Sequence, residues 1–327
     1  DASNGPNTKL NYENKHLEGA IFADANTQLA TIETDVAIGG RHPLPSIEDF
    51  SKTLGDLGIS PQTWVVIYDD KNGANAAARF WWMLRAIGHE KVQVLNGGIQ
   101  AAEKIGFPVN SEPVSIAKTE NYPCTTWQWP IASIDEVEKV AELPSHKVID
   151  VREAYRYNGE SEPIDLIAGH IPGAINFPFT ENLDENGLFL APEVVKEKYN
   201  AILEKSSTEN TIVHCGSGIT ACHTLLTMYS AGFTIPSLRL RVLAEHELFG
   251  RRKHVPRSIA KTKSSVIESF IELTPGDYVV HTNYGIGKFI GIERLIVLGL
   301  ERDYICIEYA ADEKVFVPIE QANLVQR

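Results

Sequence analysis

The stretch Thr211-Ile-Val-His-Cys-Gly-Ser-Gly-Ile-Thr-Ala-Cys222 places a cysteine between a predicted strand and a predicted helix. Residues 211–214 form a short apolar and β-branched run, typical of a buried strand, and residues 221–229 predict a helix. Backbone N–H groups of the loop 216–220 and the positive end of the helix dipole would then surround Cys215. Both effects favour the ionised thiol, so the pattern predicts a reactive thiolate at Cys215.

A purely structural role is the alternative for Cys215, because unpaired cysteines are often buried. Gly216 and Gly218 favour the reactive role, since a residue without a Cβ lets the backbone approach the sulfur. Cys222 is expected to be a core residue rather than a resolving thiol. The four cysteines, at 124, 215, 222 and 306, show no CxxC spacing, so we expect no metal, no cofactor and a reducing cytoplasm.

Length and composition describe an ordinary globular chain of two or three domains. The 327 residues are 43% hydrophobic and 22% charged. The net charge of −13 argues against nonspecific binding to nucleic acid or to an anionic membrane. No apolar run reaches the roughly 18 residues of a membrane span. The polar first residues predict no signal peptide.

An internal repeat organises the chain up to about residue 240. His16-Leu-Glu-Gly-Ala-Ile-Phe22 is echoed by His170-Ile-Pro-Gly-Ala-Ile-Asn-Phe177. Each copy is followed by a strand, a loop, a helix and another strand. In the first copy the strand is predicted over 65–70, the helix over 76–87 and the second strand over 92–95. In the second copy the same elements are predicted over 211–215, 221–231 and 238–243. This alternation predicts parallel sheets with helices on both faces. Aligning the copies places Asp69 opposite Cys215, so the first half lacks the nucleophile.

The motifs that identify this part of the chain are Arg41-His-Pro-Leu-Pro45, Ala77-Ala-Arg-Phe-Trp-Trp-Met-Leu-Arg85, Asn96-Gly-Gly98, Asp150-Val-Arg-Glu-Ala-Tyr-Arg-Tyr157, Gly169-His-Ile-Pro-Gly-Ala174 and Cys215-Gly-Ser-Gly-Ile-Thr-Ala221. Residues 1 to about 240 thereby resemble a tandem-domain rhodanese family sulfurtransferase of the 3-mercaptopyruvate/thiosulfate type. The resemblance implies an α/β fold of two rhodanese-like domains. The expected boundaries are an inactive domain over 1–109, a linker over 110–130 and a catalytic domain over 131–243.

The resemblance also implies the chemistry. Sulfane sulfur would pass from 3-mercaptopyruvate or thiosulfate, through a Cys215 persulfide, to a thiol or cyanide acceptor. Ser217 would hydrogen-bond the substrate, and Arg156 would bind the carboxylate of the donor. The backbone amides of the loop would stabilise the developing negative charge. The predicted substrate-binding residues of the loop are therefore Gly216, Gly218, Ile219 and Thr220.

The identity of the donor stays open between the two candidates. The uncharged Cys-Gly-Ser-Gly loop is typical of mercaptopyruvate enzymes, whereas thiosulfate enzymes more often carry a basic residue there. Mercaptopyruvate enzymes usually have a second arginine after a Glu-Pro pair, but Ile164 follows Glu162-Pro163 here.

Three further residues have two interpretations each. Arg152 is a candidate for donor binding, although an ion pair with Asp150 or Glu153 is favoured. His170 is expected to hold backbone in its turn rather than to act in the site. His16 could play the same role or face the active cleft.

The C-terminal part of the chain has a different character. Residues 244–272, which include Arg251-Arg-Lys-His-Val-Pro-Arg257, form a predicted basic linker. Alternating short runs over 278–281, 287–298, 304–309 and 315–318 then predict a small all-β Tudor/SH3-like barrel over 273–327.

Its motifs are Glu247-Leu-Phe-Gly250, Gly276-Asp-Tyr-Val-Val-His281, Tyr284-Gly-Ile-Gly287, Asp303-Tyr-Ile-Cys-Ile-Glu-Tyr-Ala310 and Lys314-Val-Phe-Val-Pro318. Residues 245–327 thereby resemble the RNA-polymerase-interacting domain of CarD-type regulators and transcription-repair coupling factors. The chain therefore looks like a join of two unrelated parts, which is a natural fusion, an engineered chimaera or an assembly error. The resemblance implies the polymerase β subunit as partner, with no sequence-specific contact to nucleic acid.

The alternative function is therefore a non-enzymatic polymerase-binding module whose sulfurtransferase part is truncated and inert. If the strand 304–309 lies at a sheet edge, its backbone would be open to a partner strand, with Ile305, Ile307 and Tyr309 as contact residues. If that strand is instead paired on both sides, its isoleucines belong to the core.

Overall fold

The computed structural model describes residues 2–3, 7–31, 41–165, 168–203, 208–233, 238–242, 274–281, 285–297, 300–309, 314–318 and 325–326. The chain divides into two compact units, Asp1–Arg252 (unit 1) and Lys253–Arg327 (unit 2). The predicted basic linker 244–272 lies outside the described residues. No helix in the described ranges is long and apolar enough to cross a membrane.

The first half of unit 1, up to residue 110, alternates short strands with helices. Its elements are β1 (Ala2–Ser3), α1 (Thr8–Asn14), β2 (His16–Leu17), β3 (Ala23–Asp24), α2 (Ile47–Asp56), β4 (Val65–Ile67), α3 (Ala76–Ala86), β5 (Val92–Val94), α4 (Gly98–Lys104) and β6 (Val109–Asn110). The pairs β1–β3 and β4–β5 are parallel, and β2–β6 is antiparallel. The predicted strand 65–70 ends early, at Ile67, while the predicted helix and following strand end within one residue of their observed limits.

The second half of unit 1, from residue 131, carries a four-stranded parallel sheet in the order β10-β9-β7-β8. Its elements are α5 (Ile134–Val140), β7 (Lys147–Asp150), α6 (Ala154–Tyr157), β8 (Ile175–Asn176), a 3₁₀ turn (Phe179–Asn182), α7 (Pro192–Leu203), a second 3₁₀ turn (Thr208–Asn210), β9 (Thr211–Cys215), α8 (Thr220–Ser230) and β10 (Leu238–Val242). Every residue of β9 is buried, as expected for an inner strand of a parallel sheet. The predicted α/β architecture is confirmed.

The two halves share a histidine turn. In the first half His16 Nδ1 lies 2.7 Å from the Tyr12 carbonyl oxygen, and its ring stacks on Tyr12 with centroids 4.2 Å apart. In the second half His170 Nδ1 lies 2.8 Å from the Tyr157 carbonyl oxygen, with a 3.8 Å stack. The backbone role favoured for His170 is therefore what the structure shows, and His16 has the same contacts.

The halves also share one hydrophobic core, in which α3 packs against α8. Trp82 is fully buried, and the ring centroids of Trp81 and Tyr229 are 5.5 Å apart. Arg85 Nη2 donates to the Tyr229 hydroxyl at 2.9 Å. The aromatic run of α3 therefore builds the contact between the halves.

The predicted linker 110–130 joins the halves, but it is packed against the first half along much of its length. Ser51 Oγ donates to the Tyr122 carbonyl at 2.6 Å, and Gln128 N donates to the Ala86 carbonyl at 2.7 Å. Tyr122 is buried, and Trp127 packs on the shared core. The lack of periodicity in this segment thus reflects irregular backbone rather than a free tether.

Unit 2 contains a five-stranded antiparallel sheet in the order β14-β13-β12-β11-β15. Its strands are β11 (Tyr278–His281), β12 (Gly285–Val297), β13 (Leu300–Glu308), β14 (Lys314–Pro318) and β15 (Val325–Gln326). Val279, Phe289, Ile305, Ile307 and Val317 form its core. The predicted small all-β domain is confirmed.

The predicted contact strand of unit 2 is not an edge strand. β13 pairs with β12 on one side and with β14 on the other. Ile305 and Ile307 are fully buried in the core, and Tyr309 packs against it. The prediction that Ile305 and Ile307 contact a partner is therefore wrong, because their side chains are buried in the core of the sheet. The same prediction for Tyr309, which is partly buried, stays a prediction. The outer strands of the described sheet are β14 and β15.

Candidate active site

Cys215 is the last residue of β9 and lies at the carboxyl end of the parallel sheet, where α/β folds bind ligands. The thiol is buried, and the Gly218 N–H donates to Cys215 Sγ at 3.1 Å. Gly218 has φ +70°, a left-handed conformation that favours glycine and turns its amide toward the sulfur. α8 begins two residues later, at Thr220.

The other predicted residues of the loop are buried or partly buried. Ser217 and Ile219 are buried, and Gly216 and Thr220 are partly buried. The thiol of Cys222 donates to the Gly218 carbonyl at 3.0 Å. Burial raises the pKa of Cys222 to about 12, so this residue stays a neutral thiol that fixes the loop.

The corresponding loop of the first half binds an anion that belongs to the chain. The carboxylate of Asp69, which follows β4, accepts N–H groups from Lys71 at 2.9 Å, Gly73 at 2.7 Å, Asn75 at 3.0 Å and Ala77 at 3.1 Å. Burial raises the pKa of Asp69, and these four hydrogen bonds oppose that rise. A strand–loop–helix turn of this protein can therefore hold a negative charge, and Asp69 occupies the turn that lacks a cysteine.

Arg156, the predicted donor-binding residue, lies at the Cys215 loop but is fully engaged. Its Nε donates to Glu162 at 2.8 Å and its Nη2 to Asp165 at 2.9 Å. A β-carbon on Gly216 would lie 3.5 Å from Nη2, which places the guanidinium over the loop. Burial works to lower the pKa of Arg156, but the carboxylates outweigh it and hold the pKa above its ordinary value.

Arg152 is held by an ion pair within its own half of unit 1. Its guanidinium forms a two-pronged ion pair with Asp150, with Nη2 to Oδ2 at 2.6 Å and Nε to Oδ1 at 3.0 Å. Its Nη2 also donates to the Gly169 carbonyl at 2.5 Å, and its side chain is 8% exposed. The structural ion pair, the favoured alternative for this residue, is what the structure shows. The assignment of Arg152 as substrate-binding stays a prediction.

Arg41 is a residue of the site that sequence reasoning missed. It comes from the first half, and its Nε donates to Asp165 Oδ1 at 2.8 Å. Its Nη2 would lie 2.5 Å from a β-carbon on Gly216. The motif 41–45 was visible in the sequence, but it gives no signal that the chain brings Arg41 to a loop of the other half.

Arg79, on α3, places a buried cation against the same loop. Its guanidinium donates to the carbonyl oxygens of Gly218 at 3.4 Å, Leu29 at 3.3 Å and His42 at 3.1 Å. Within the described residues no carboxylate pairs with it. Burial lowers the pKa of Arg79, while the Cys222 and Cys215 thiols work against that decrease. The charge of Arg79 therefore lies close to both thiols of the loop.

Together these contacts gather polar groups at the Cys215 loop. One amide N–H donates to the sulfur, a buried cation contacts the loop, and two further arginines lie over the adjoining Gly216. No group of three or more His, Cys, Asp or Glu side chains in the described ranges could hold a metal ion.

Known protein families match both parts of the chain. The rhodanese-like domain family matches residues 6–104 and 133–240, and the CarD-like/TRCF RID domain family matches residues 273–327. A probable 3-mercaptopyruvate sulfurtransferase of Pseudomonas aeruginosa is 38% identical over 232 residues, which are 69% of this chain and 79% of that protein. A thiosulfate sulfurtransferase of Bos taurus is 36% identical over 225 residues, or 68% of this chain and 73% of that protein.

A solved structure of 3-mercaptopyruvate sulfurtransferase from Leishmania major shares the fold. It aligns with a TM-score of 0.65 and 24% identity, covering 95% of this chain and 88% of that one. The repeated α/β halves, the loop around Cys215 and the family matches over both halves lead to one conclusion: the chain belongs to the rhodanese family of sulfurtransferases.

Proposed function

We propose that Cys215 is the residue that carries sulfur, and that the donor is a small sulfur-containing anion, either 3-mercaptopyruvate or thiosulfate. The observation that supports this proposal is the hydrogen bond from the Gly218 N–H to Cys215 Sγ, because a backbone donor at the sulfur would stabilise negative charge there. The resemblance to enzymes of both donor classes supports it.

The reaction has two steps. The Cys215 thiolate attacks the sulfane sulfur of thiosulfate, the S–S bond breaks, and sulfite leaves with the bonding electrons. With 3-mercaptopyruvate the thiolate attacks the thiol sulfur, the C–S bond breaks, and pyruvate leaves as its enolate. An acceptor thiolate or cyanide then attacks the outer sulfur of the persulfide and regenerates the Cys215 thiolate.

Steady-state turnover tests this function. The full chain should produce thiocyanate from thiosulfate and cyanide, pyruvate from 3-mercaptopyruvate and a thiol, or both. The ratio of the two kcat/KM values assigns the donor. Absence of turnover with both donors, in a protein that is folded by circular dichroism, would rule the proposal out.

Arg156→Ala should raise the KM for an anionic donor by about tenfold, with a smaller fall in kcat, since it removes a charge-assisted contact. Because Glu162 would lose its 2.8 Å partner, folding of the variant is checked by thermal denaturation. Arg156→Lys keeps the charge and should recover part of the affinity. A fall in kcat with KM unchanged would show that Arg156 acts mainly on the transition state.

A second candidate function rests on the match of residues 273–327 to the CarD-like/TRCF RID family. We propose that unit 2 binds the β subunit of bacterial RNA polymerase through β14 rather than β13. β14 is an outer strand of the described sheet, and Phe316 on it is 38% exposed. An outer strand with an exposed aromatic side chain suits the addition of a partner strand.

Pull-down of purified polymerase β subunit by the full chain tests this contact. Phe316→Lys should abolish capture, because it places a charge on the proposed contact strand. Tyr278→Lys is the matched control, since Tyr278 is 72% exposed on β11, at the other side of the sheet. No capture by the wild-type chain at micromolar concentrations would reject this function, and equal loss with both variants would reject β14 as the contact strand.

A further inference from the structure

A carboxylate of the chain occupies the space between two arginines beside the Cys215 loop. Asp165 Oδ1 accepts from Arg41 Nε at 2.8 Å, and Asp165 Oδ2 accepts from Arg156 Nη2 at 2.9 Å. The two arginines belong to different halves of unit 1. Their side chains are 28% and 6% exposed, and that of Asp165 is 10% exposed.

This ion group lies directly against the residue that follows Cys215. A β-carbon on Gly216 would meet Arg41 Nη2 at 2.5 Å and Asp165 Oδ2 at 2.6 Å. The absence of a side chain at Gly216 therefore allows an anionic group to sit next to the nucleophile. The anion found there is an aspartate of the chain itself.

The ion pairs of the two arginines indicate that their contacts with Asp165 are the ones that a bound anion could replace. Arg156 has a second partner in Glu162, at 2.8 Å, and a weaker one in Glu153, at 3.6 Å. Arg41, in the described part of the chain, has an ion pair only with Asp165. Displacing Asp165 would leave one edge of each guanidinium without an anion while Arg156 kept Glu162. A small oxyanion could then bind both edges at once.

We propose that Arg41 and Arg156 together bind the anionic end of the sulfur donor, and that Asp165 occupies this position until the donor displaces it. This inference rests on the proposed donor class and adds Arg41 and Asp165 to the binding site. The bound group is the carboxylate of 3-mercaptopyruvate or the SO3 group of thiosulfate, which are alike in presenting oxygen atoms to two guanidinium groups. The half that lacks a nucleophile thus supplies half of the donor site.

Competition with an internal carboxylate weakens donor binding. Asp165→Asn keeps the shape of the side chain and removes its charge, so it should lower the KM for the donor by about threefold or more, with kcat within about twofold. Arg41→Met should raise the KM by about tenfold, the value of one charge-assisted contact. Arg41 is partly exposed and lies outside the hydrophobic core, so its replacement should leave folding intact.

The matched control is Asp56→Asn, which removes the same charge from an exposed ion pair with Lys118. It should leave KM and kcat unchanged. Binding of thiosulfate to the Cys215→Ser variant, measured by calorimetry, gives a readout that needs no turnover. There Asp165→Asn should tighten binding and Arg41→Met should weaken it, in the same proportions as KM.

Two results would overturn the inference. One is a KM that Asp165→Asn leaves unchanged or raises, in a variant with wild-type thermal stability. The other is an Arg41→Met variant that binds thiosulfate as tightly as its parent. If the wild type turns over the donor, either result rejects only the two-arginine site. If the folded wild type has no turnover with either donor, the proposed function itself is rejected.

Discussion

Replacing Cys215 with serine should reduce sulfur transfer by roughly a thousandfold or more, because a serine hydroxyl is not ionised at neutral pH and cannot carry a persulfide. The fold should survive, since the change replaces one small buried side chain with another of nearly the same shape. Turnover to cyanide measures the first effect, and circular dichroism with thermal denaturation measures the second.

Cys222→Ser is the matched control. This side chain is buried seven residues further along and donates to the Gly218 carbonyl, which a serine hydroxyl can also do. The control should keep activity within about tenfold of wild type. Near wild-type turnover in the Cys215 variant would remove that residue from the mechanism.

Asp69→Ala should lower the free energy of unfolding by about 4 kcal/mol, because four backbone N–H groups, those of Gly73 and Ala77 buried, would lose their acceptor at once. Urea unfolding followed by tryptophan fluorescence measures the loss. The folded fraction should retain turnover within about tenfold, since Cys215, the proposed sulfur carrier, lies in the other half.

Asp70→Ala provides the control for this variant. It removes a neighbouring carboxylate whose Oδ1 has no hydrogen-bond partner in the described structure. Its effect on unfolding should stay under about 1 kcal/mol. Similar losses of unfolding free energy in both variants would mean that the loop does not need the Asp69 carboxylate. A fall in turnover of more than about tenfold in folded Asp69→Ala would assign Asp69 a catalytic role.

Features encoded in nearby residues were predictable from the sequence. The strand, glycine loop and helix around Cys215 follow from local periodicity, and the structure places α8 within one residue of the prediction. The repeat predicted that Asp69 stands opposite Cys215, and both follow a strand and precede a helix. The strands of unit 2 were likewise visible as alternating runs.

Features that depend on distant contacts were not predictable in this way. Arg41 and Asp165 are 124 positions apart, and their ion pair exists only because the two halves share one core. The place of β13 inside its sheet is set by hydrogen bonds to β12 and β14, which alternation along β13 alone does not reveal. The packing of residues 110–130 depends on contacts with α2 and α3, and the composition of that segment does not indicate them.

Mass spectrometry of the full chain after incubation with donor shows whether Cys215 carries the transferred sulfur. Wild type incubated with 3-mercaptopyruvate or thiosulfate should gain the mass of one sulfur atom, located by peptide mapping on Cys215 and released by cyanide. Cys222→Ser should gain the same mass and Cys215→Ser none. Added sulfur on Cys222, or turnover with no added sulfur on any cysteine, would contradict the account.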